Sequence, residues 1–565
     1  MRCISWIKNS LLLSTISLLA ACGGSSGITD PLEDEPSSIS APADCQGSNA
    51  SEERCVVPLN PDTPVNATLS ADNIQIFRVD SGAYVSVQSD SGNADVLLFD
   101  DFDDIPTDNV LTDNGLRLCG SGRGFKEDIC SASVPDGEMF AAVWAATDTS
   151  YSITAVTDCS TEVINRWVYR SFQDFYIYAD QVPELNPDTF SDTEELIEIL
   201  QFEELDPFSN IQDTITQSNF AEEGIQFGLG HYWKRDDAGN LRITVVFSES
   251  PFGSAGIKRG DIAVSLGGEL LDSMSNERYF ELTGSAENPI DSTWVFIDGD
   301  TGESKTVTVR IGEYRVNTVL YSNIFTHPQF SGQVGYIILS NFLEPSREEL
   351  DQVINQFNDA GVSELILDLR YNGGGRALVG RRLASQIGGQ QFDNRLHSQF
   401  EHNAKYAHFN YKEYFFEAFP EMGLQRISVL TTNSSASASE RLINSLRAYI
   451  DVVTIGETTR GKAFRSNGRK FCGKTLNIMQ AQGVNANGVS VTGGISADCY
   501  AADDLTQNFG NQSGGIEGML LKGLDNIVFG ICDAAPAIAR QSQANVAPPT
   551  HEIRFVGDDT EVLGR

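Results

Sequence analysis

The residues with chemistry to offer lie at 433–440, which read NSSASASE. A strand-like run, Ile427-Ser428-Val429-Leu430-Thr431, leads in, and a helix-like run from Glu440 to Ile450 leads out. A serine on a sharp strand-to-helix turn can present its hydroxyl, while N–H groups at the helix start face a developing oxyanion. The small neighbours Ala436 and Ala438 leave room for a peptide. A serine hydroxyl is a weak nucleophile and needs a base. The stretch VVTIGETTRGKAF, 452–464, puts Lys462 in a Gly-containing loop after a second strand-like run, 25 residues beyond Ser437. Upstream, LILDLRYNGGG at 365–375 is an apolar strand ending in three glycines, which offer unhindered backbone amides. A helix cap for the serine and an exposed loop position for the lysine are the plain structural alternatives. For a Ser-His-Asp arrangement His327, His397, His402 and His408 are available, but none sits in a motif.

In order and spacing, these three pieces resemble the carboxyl-terminal processing, or tail-specific, peptidases of serine peptidase family S41. That family has a strand ending in an NGGG-like loop, an SASASE-like turn and GE-x-x-x-GK. The resemblance implies that Ser437 is the nucleophile and Lys462 the general base, with oxyanion amides from Ala438 and from Gly373 or Gly374. It also implies a crotonase-like spiral of β-α units, no metal or other cofactor, and protein or peptide substrates cut near exposed C-termini. Many members carry a glutamine four residues after the lysine. Here that position is Ser466, which makes Ser466 the candidate to support the dyad. The alternative reading is a catalytically degenerate, PDZ-containing, peptide-binding envelope lipoprotein.

The elements that must position these residues belong to a longer, multidomain chain. Its 565 residues are long enough for several domains, and its net charge of −39 argues against a nucleic-acid partner. Residues 1–21 read as a signal peptide, with Arg2 and Lys8 before an apolar segment. The LAAC ending resembles a bacterial lipobox, with Cys22 as the lipidated residue. Gly23 in place of an aspartate favours the periplasmic side of the outer membrane. Residues 22–44, rich in Gly, Ser, Pro and acids, read as a flexible tether. Short alternating runs across 45–158 predict a β-sandwich, similar to the pre-peptidase domains of secreted bacterial proteases.

Residues 159–211 have helical spacing. Residues 212–312 resemble a PDZ α+β domain, on the strength of FGLG at 227–230, AGIKRGDIAVSLGG at 255–268 and a closing strand to Ile311. That resemblance makes Phe227, Gly228, Leu229 and Gly230 the peptide-carboxylate loop. Residues 313–545 read as the α/β protease core and 546–565 as a tail. Eight cysteines remain after Cys3 and Cys22, an even number that suggests disulfides in an exported chain. Close spacing favours Cys45–Cys55, Cys119–Cys130 and Cys472–Cys499, leaving Cys159–Cys532.

Overall fold

The structure is a computed structural model. It describes residues 39–40, 56–99 apart from 72, 81–83 and 92–93, the strands 119–121, 127–131 and 138–145, and 147–534 apart from 203–204, 467 and 511–515. The expected leader, Cys22, the Cys45–Cys55 pair and the 546–565 tail lie outside the described residues, as do the side chains of Cys119 and Cys130. The chain divides into two units, Met1–Thr157 and Asp158–Arg565.

In the first unit, strands with alternating burial build two five-stranded sheets. One orders Ile39–Ser40, Val65–Leu69, Thr149–Val156, Tyr84–Ser91 and Glu127–Ser131. The other orders Val56–Pro58, Asn73–Asp80, Glu138–Ala145, Ala94–Phe99 and Cys119–Ser121. Val65, Val87 and Tyr151 from one sheet and Phe77, Val96 and Met139 from the other share one buried cluster. Across it Tyr151 Oη donates to Gln75 Oε1 at 2.8 Å, which satisfies two polar groups that would otherwise be costly to bury.

The second unit begins with helices Thr161–Phe175 and Thr193–Leu200, whose buried faces carry Trp167, Val168 and Phe172, and Leu196 and Leu200. The strand Asn210–Asp213 then pairs antiparallel with Lys474–Asn477. This return of the chain decides the disulfides. Cys159 bonds to Cys472, and Cys499 bonds to Cys532. The expected pairs Cys472–Cys499 and Cys159–Cys532 are therefore wrong. Sequence proximity misleads here, because strand pairing brings the 159–213 segment to 472. Cys499 instead lies beside the closing segment, where Tyr500 N donates to Asp533 O at 2.8 Å.

Ile225–Gly228 and Gly312–Arg315 form a two-stranded antiparallel ribbon, with Gly228 opposite Gly312. Between them the chain builds a sheet whose main path runs His231–Arg235, Leu241–Val246, Ile262–Leu266, Asp291–Ile297 and Ser304–Arg310. Its core gathers Trp233, Phe252, Trp294 and Phe296. Arg259 reaches out of this segment. Its Nη1 donates to Tyr371 Oη at 2.8 Å and its Nη2 pairs with Asp503 at 2.7 Å.

The α/β part follows. Val319–His327 and Phe330–Leu339 form a hairpin. Val362–Asp368, Arg426–Thr431, Asp451–Gly456 and Cys499–Tyr500 then add in parallel, in that order. These strands are apolar along most of their length, as parallel strands covered on both faces must be. Helix Gly518–Phe529 covers one face through Met519, Leu520 and Leu524 against Ile366, Leu430 and Ile455. Helices Ala377–Gly388 and Ala438–Arg447 lie against each other, with Gly380 over Ala438. A second sheet orders Tyr411–Tyr414, Leu396–His402, Ala481–Val484 and Phe464–Arg465. It absorbs the aromatic-rich stretch at 389–425, burying Phe400, Tyr406 and Phe415. Among the described residues no helix is long and apolar enough to cross a membrane.

Candidate active site

Three neighbouring parallel strands, 362–368, 426–431 and 451–456, end on the same side of the sheet. From those ends leave the glycine loop, the serine turn and the lysine loop. The C-terminal edge of a parallel sheet is where such loops converge in α/β proteins.

The turn's repeated serines divide the work. Ser435 Oγ donates to Leu369 O at 2.7 Å and Ser439 Oγ to Asn372 O at 2.9 Å. Ala436 N donates to the same Asn372 carbonyl at 3.1 Å. The turn is thus stapled to the glycine loop on both sides of Ser437. Ser437 itself takes φ 54° and ψ −110°, a backbone region that a non-glycine residue adopts only when its surroundings impose it. Gly374, at φ +113°, packs so closely that a Cβ there would lie 2.8 Å from Ser437 Cβ and 3.1 Å from Ala438 N. Only glycine fits. Gly374 N is already engaged, donating to Asn372 Oδ1 at 2.9 Å.

Glu440 joins the serine turn to the lysine loop. Its Oε2 accepts from Ser437 N at 2.9 Å, and its Oε1 accepts from Gly461 N at 2.6 Å and Thr459 Oγ1 at 2.5 Å. The Lys462 amide donates to the same carboxylate. Burial pushes the Glu440 carboxyl up to about 7, against the pull of these donors. One side chain therefore fixes the backbone of both Ser437 and Lys462. Its sequence signal was present, as the acid three residues after a serine N-cap. Its link across to the lysine loop had none.

Lys462 is only 8% exposed. Burial draws its ammonium down to about 8, Asp206 and Glu440 resist, and Arg460 and Arg441 assist. Its Nζ lies 5.4 Å from the Phe208 ring centroid. Asp206 is held in place by accepting from Phe208 N at 2.9 Å, Ser209 N at 2.8 Å and Ser209 Oγ at 2.5 Å. Both residues come from a segment far upstream of the recognised motifs. Ser466, the candidate support for the dyad, does not fill that role. Its buried hydroxyl has no hydrogen-bond partner among the described residues, so it gives no hydrogen bond to the lysine.

The FGLG loop is apart from this cluster. Phe227 is exposed and Leu229 buried. Gly230, at φ +74°, lies against Ser250, where a Cβ would clash at 2.0 Å. Its carbonyl accepts from Phe247 N at 3.0 Å.

Glu440→Gln tests the bridge. Glutamine offers one acceptor oxygen where the carboxylate uses two, and turns an NH₂ toward a donor. The urea midpoint is expected to fall by an equivalent of about 1–3 kcal/mol. An unchanged midpoint would show that the carboxylate's donors find other partners.

Residues 333–501 match the model of peptidase family S41. The carboxy-terminal processing protease CtpB of Bacillus subtilis is 25% identical over 261 residues, 46% of this chain and 51% of CtpB. CtpA of the same organism is 24% identical over 291 residues, 50% of this chain and 58% of CtpA. The chain thus spans little more than half the length of the curated relatives it matches. A crystal structure from Bacteroides fragilis assigned to the S41 proteases shares the fold. The match has a TM-score of 0.51 at 22% identity and covers 65% of this chain and 98% of that one. The stapled serine turn, the glycine loop and the buried lysine thus sit in residues 333–501, the segment that matches the model of peptidase family S41.

Proposed function

We propose that the protein is a serine endopeptidase working through a Ser437–Lys462 dyad on exported proteins or peptides near their C-termini. The observation that carries this reading is Lys462. It is a buried lysine with its ammonium drawn down to about 8, tied through Glu440 to the turn that exposes Ser437. An ordinary lysine, near 10.4, stays protonated at neutral pH and cannot accept a proton. Neutral Lys462 Nζ takes the proton of Ser437 Oγ as the oxygen attacks the scissile carbonyl carbon. The oxyanion is met by the Ala438 amide and a glycine-loop amide. Gly374 N is committed to Asn372, which leaves Gly373 as that second donor. The lysine returns the proton to the leaving amine, and water attacks the acyl-enzyme by the reverse path.

The 212–312 segment is proposed as a PDZ-type domain. The strand after the FGLG loop, His231–Arg235, is the edge of its sheet, the place where a peptide can add as a further strand. Residues 45–158 are proposed as an accessory β-sandwich. Cys22 is proposed as the lipid anchor, holding the body at the periplasmic face of the outer membrane.

The test compares the full chain with Ser437→Ala on an unstructured peptide with a free apolar C-terminus. Cleavage is expected in the parent and none above background in the variant. Equal cleavage by both would end the dyad reading. Peptide binding without cleavage by a folded parent would favour a degenerate binding protein.

A further inference from the structure

Beside the dyad lies a group of arginines that the chemistry above does not use. Arg441 stands one turn into the helix that Ser437 opens, with Arg441 N donating to Ser437 O at 2.9 Å. Arg381 follows Gly380, the residue packed on Ala438. Arg465 ends the short strand that begins two residues after Lys462. Three elements that frame the site thus each bring a guanidinium to one place. Arg441 and Arg465 both lie 5.6 Å from the Phe400 ring centroid. Arg465 Nη1 pairs with Glu413 at 2.5 Å, and Arg381 Nη1 lies 3.9 Å from the same carboxylate. Tyr411 Oη accepts from Arg465 at 2.5 Å.

The charges do not balance. Three guanidinium groups face one carboxylate. Among the described residues, the Arg441 side chain makes no hydrogen bond or ion pair, and Arg381 Nε is buried without a partner. Burial and the neighbouring Arg465 and Arg381 charges both depress Arg441, while Glu413 opposes them. Like charges held together out of water cost stability unless an anion joins them. In a chain of net charge −39, a cationic cluster at this position is not a by-product of composition. Guanidinium is also the side chain best matched to a carboxylate, which it grips through paired N–H donors. The cluster is partly open to solvent, with Arg381 22% and Arg465 28% exposed.

We infer that Arg381, Arg441 and Arg465 form a carboxylate-binding subsite next to Ser437, which selects peptides bearing a free C-terminal carboxylate or an acidic side chain close to the scissile bond. This deepens the peptidase reading and rests on it. Glu413 occupies part of the site in the free protein and sets Arg465 in place. Arg441 keeps the unpaired donors that a substrate carboxylate would take.

The experiment uses the full chain and two matched peptide pairs. One pair differs only in ending as a carboxylate or a carboxamide. The other differs only in Glu or Gln at a position near the cut. The quantity read is the ratio of kcat/KM within each pair. A ratio of about tenfold or more is expected in at least one pair, the effect of a single charge-assisted hydrogen bond. The pair that shows it identifies which carboxylate is read. Arg441→Gln and, independently, Arg381→Gln are expected to bring that ratio toward unity. Glu413→Gln, which removes the competing anion, is expected to raise it. A purely structural role for these residues would move overall rates and leave the ratio alone. Ratios below about twofold in both pairs for the parent, or ratios untouched by the arginine variants, would overturn the subsite. Should no peptide be cleaved, the peptidase reading fails. The same pairs are then compared by calorimetric binding, where loss of the carboxylate preference would overturn the subsite on its own.

Discussion

Lys462→Met is expected to lower kcat/KM by about 10²–10⁴-fold, the range attributed to a positioned general base. Methionine keeps most of the volume of the buried stem and removes the proton acceptor, so the loss reads chemistry more than packing. The parent protein gives a companion signature. On the proposed dyad the active form carries neutral Lys462, and burial draws that group down to about 8. Activity should therefore be low near pH 6, rise through about pH 8 and level off above it. The sign follows from which form works: a base is active once its proton has left. A profile flat from pH 6 to 9, or a variant as fast as the parent, would remove Lys462 from the mechanism.

Arg370→Ala is expected to destabilise the second unit by about 3–5 kcal/mol, the effect of stranding buried charge. Arg370 is fully buried and pairs with Asp368 at 2.8 Å, Asp503 at 3.0 Å and Glu517 at 2.9 Å. Its removal leaves three buried carboxylates, of which, among the described residues, only Asp503 retains a cation, in Arg259. The Arg370 and Arg259 charges hold Asp503 well below the usual carboxylate range, and Arg370 lowers Glu517 as well. Depressed carboxylates contribute stability that is present above their unfolded values and lost as pH falls through the folded ones. The gap between parent and variant in urea should therefore stay wide from pH 7 down to about pH 4 and narrow only below it. A gap of under 1 kcal/mol at pH 7 would mean that water or rearrangement relieves the cluster. Because Tyr371, Asn372 and Gly373 follow directly, the variant is also expected to lose activity in parallel with stability.

What the sequence disclosed about the site was local. A strand ending in NGGG, a serine turn and a lysine loop each announce themselves within a dozen residues, and parallel pairing then brings the three loops to one edge. The groups around the lysine are of another kind. Asp206 and Phe208 reach Lys462 from more than 250 residues upstream, and no periodicity or spacing reports such an approach. Glu440 is legible as a capping residue, but its second attachment, to Gly461 and Thr459, depends on strand order. Ser466 shows the converse. A position taken over from a family pattern carries a role only if its side chain makes the contact, and the Ser466 hydroxyl makes no hydrogen bond among the described residues. The disulfides failed for a related reason. Loop-closure entropy rises slowly with length, so distance along the chain discriminates poorly between partners.

The ribbon of Ile225–Gly228 against Gly312–Arg315 places the two ends of the intervening segment side by side, with Gly228 opposite Gly312. Topologically that segment is a cassette, which one short glycine bridge could excise without rerouting the remaining strands. Electrostatically it is not detachable. Excision would take Arg259 away from Asp503 and from the Tyr371 hydroxyl, one residue before the glycine loop begins. A foreign module grafted onto the ribbon would leave Asp503 with Arg370 alone unless it brought a cation to that same point.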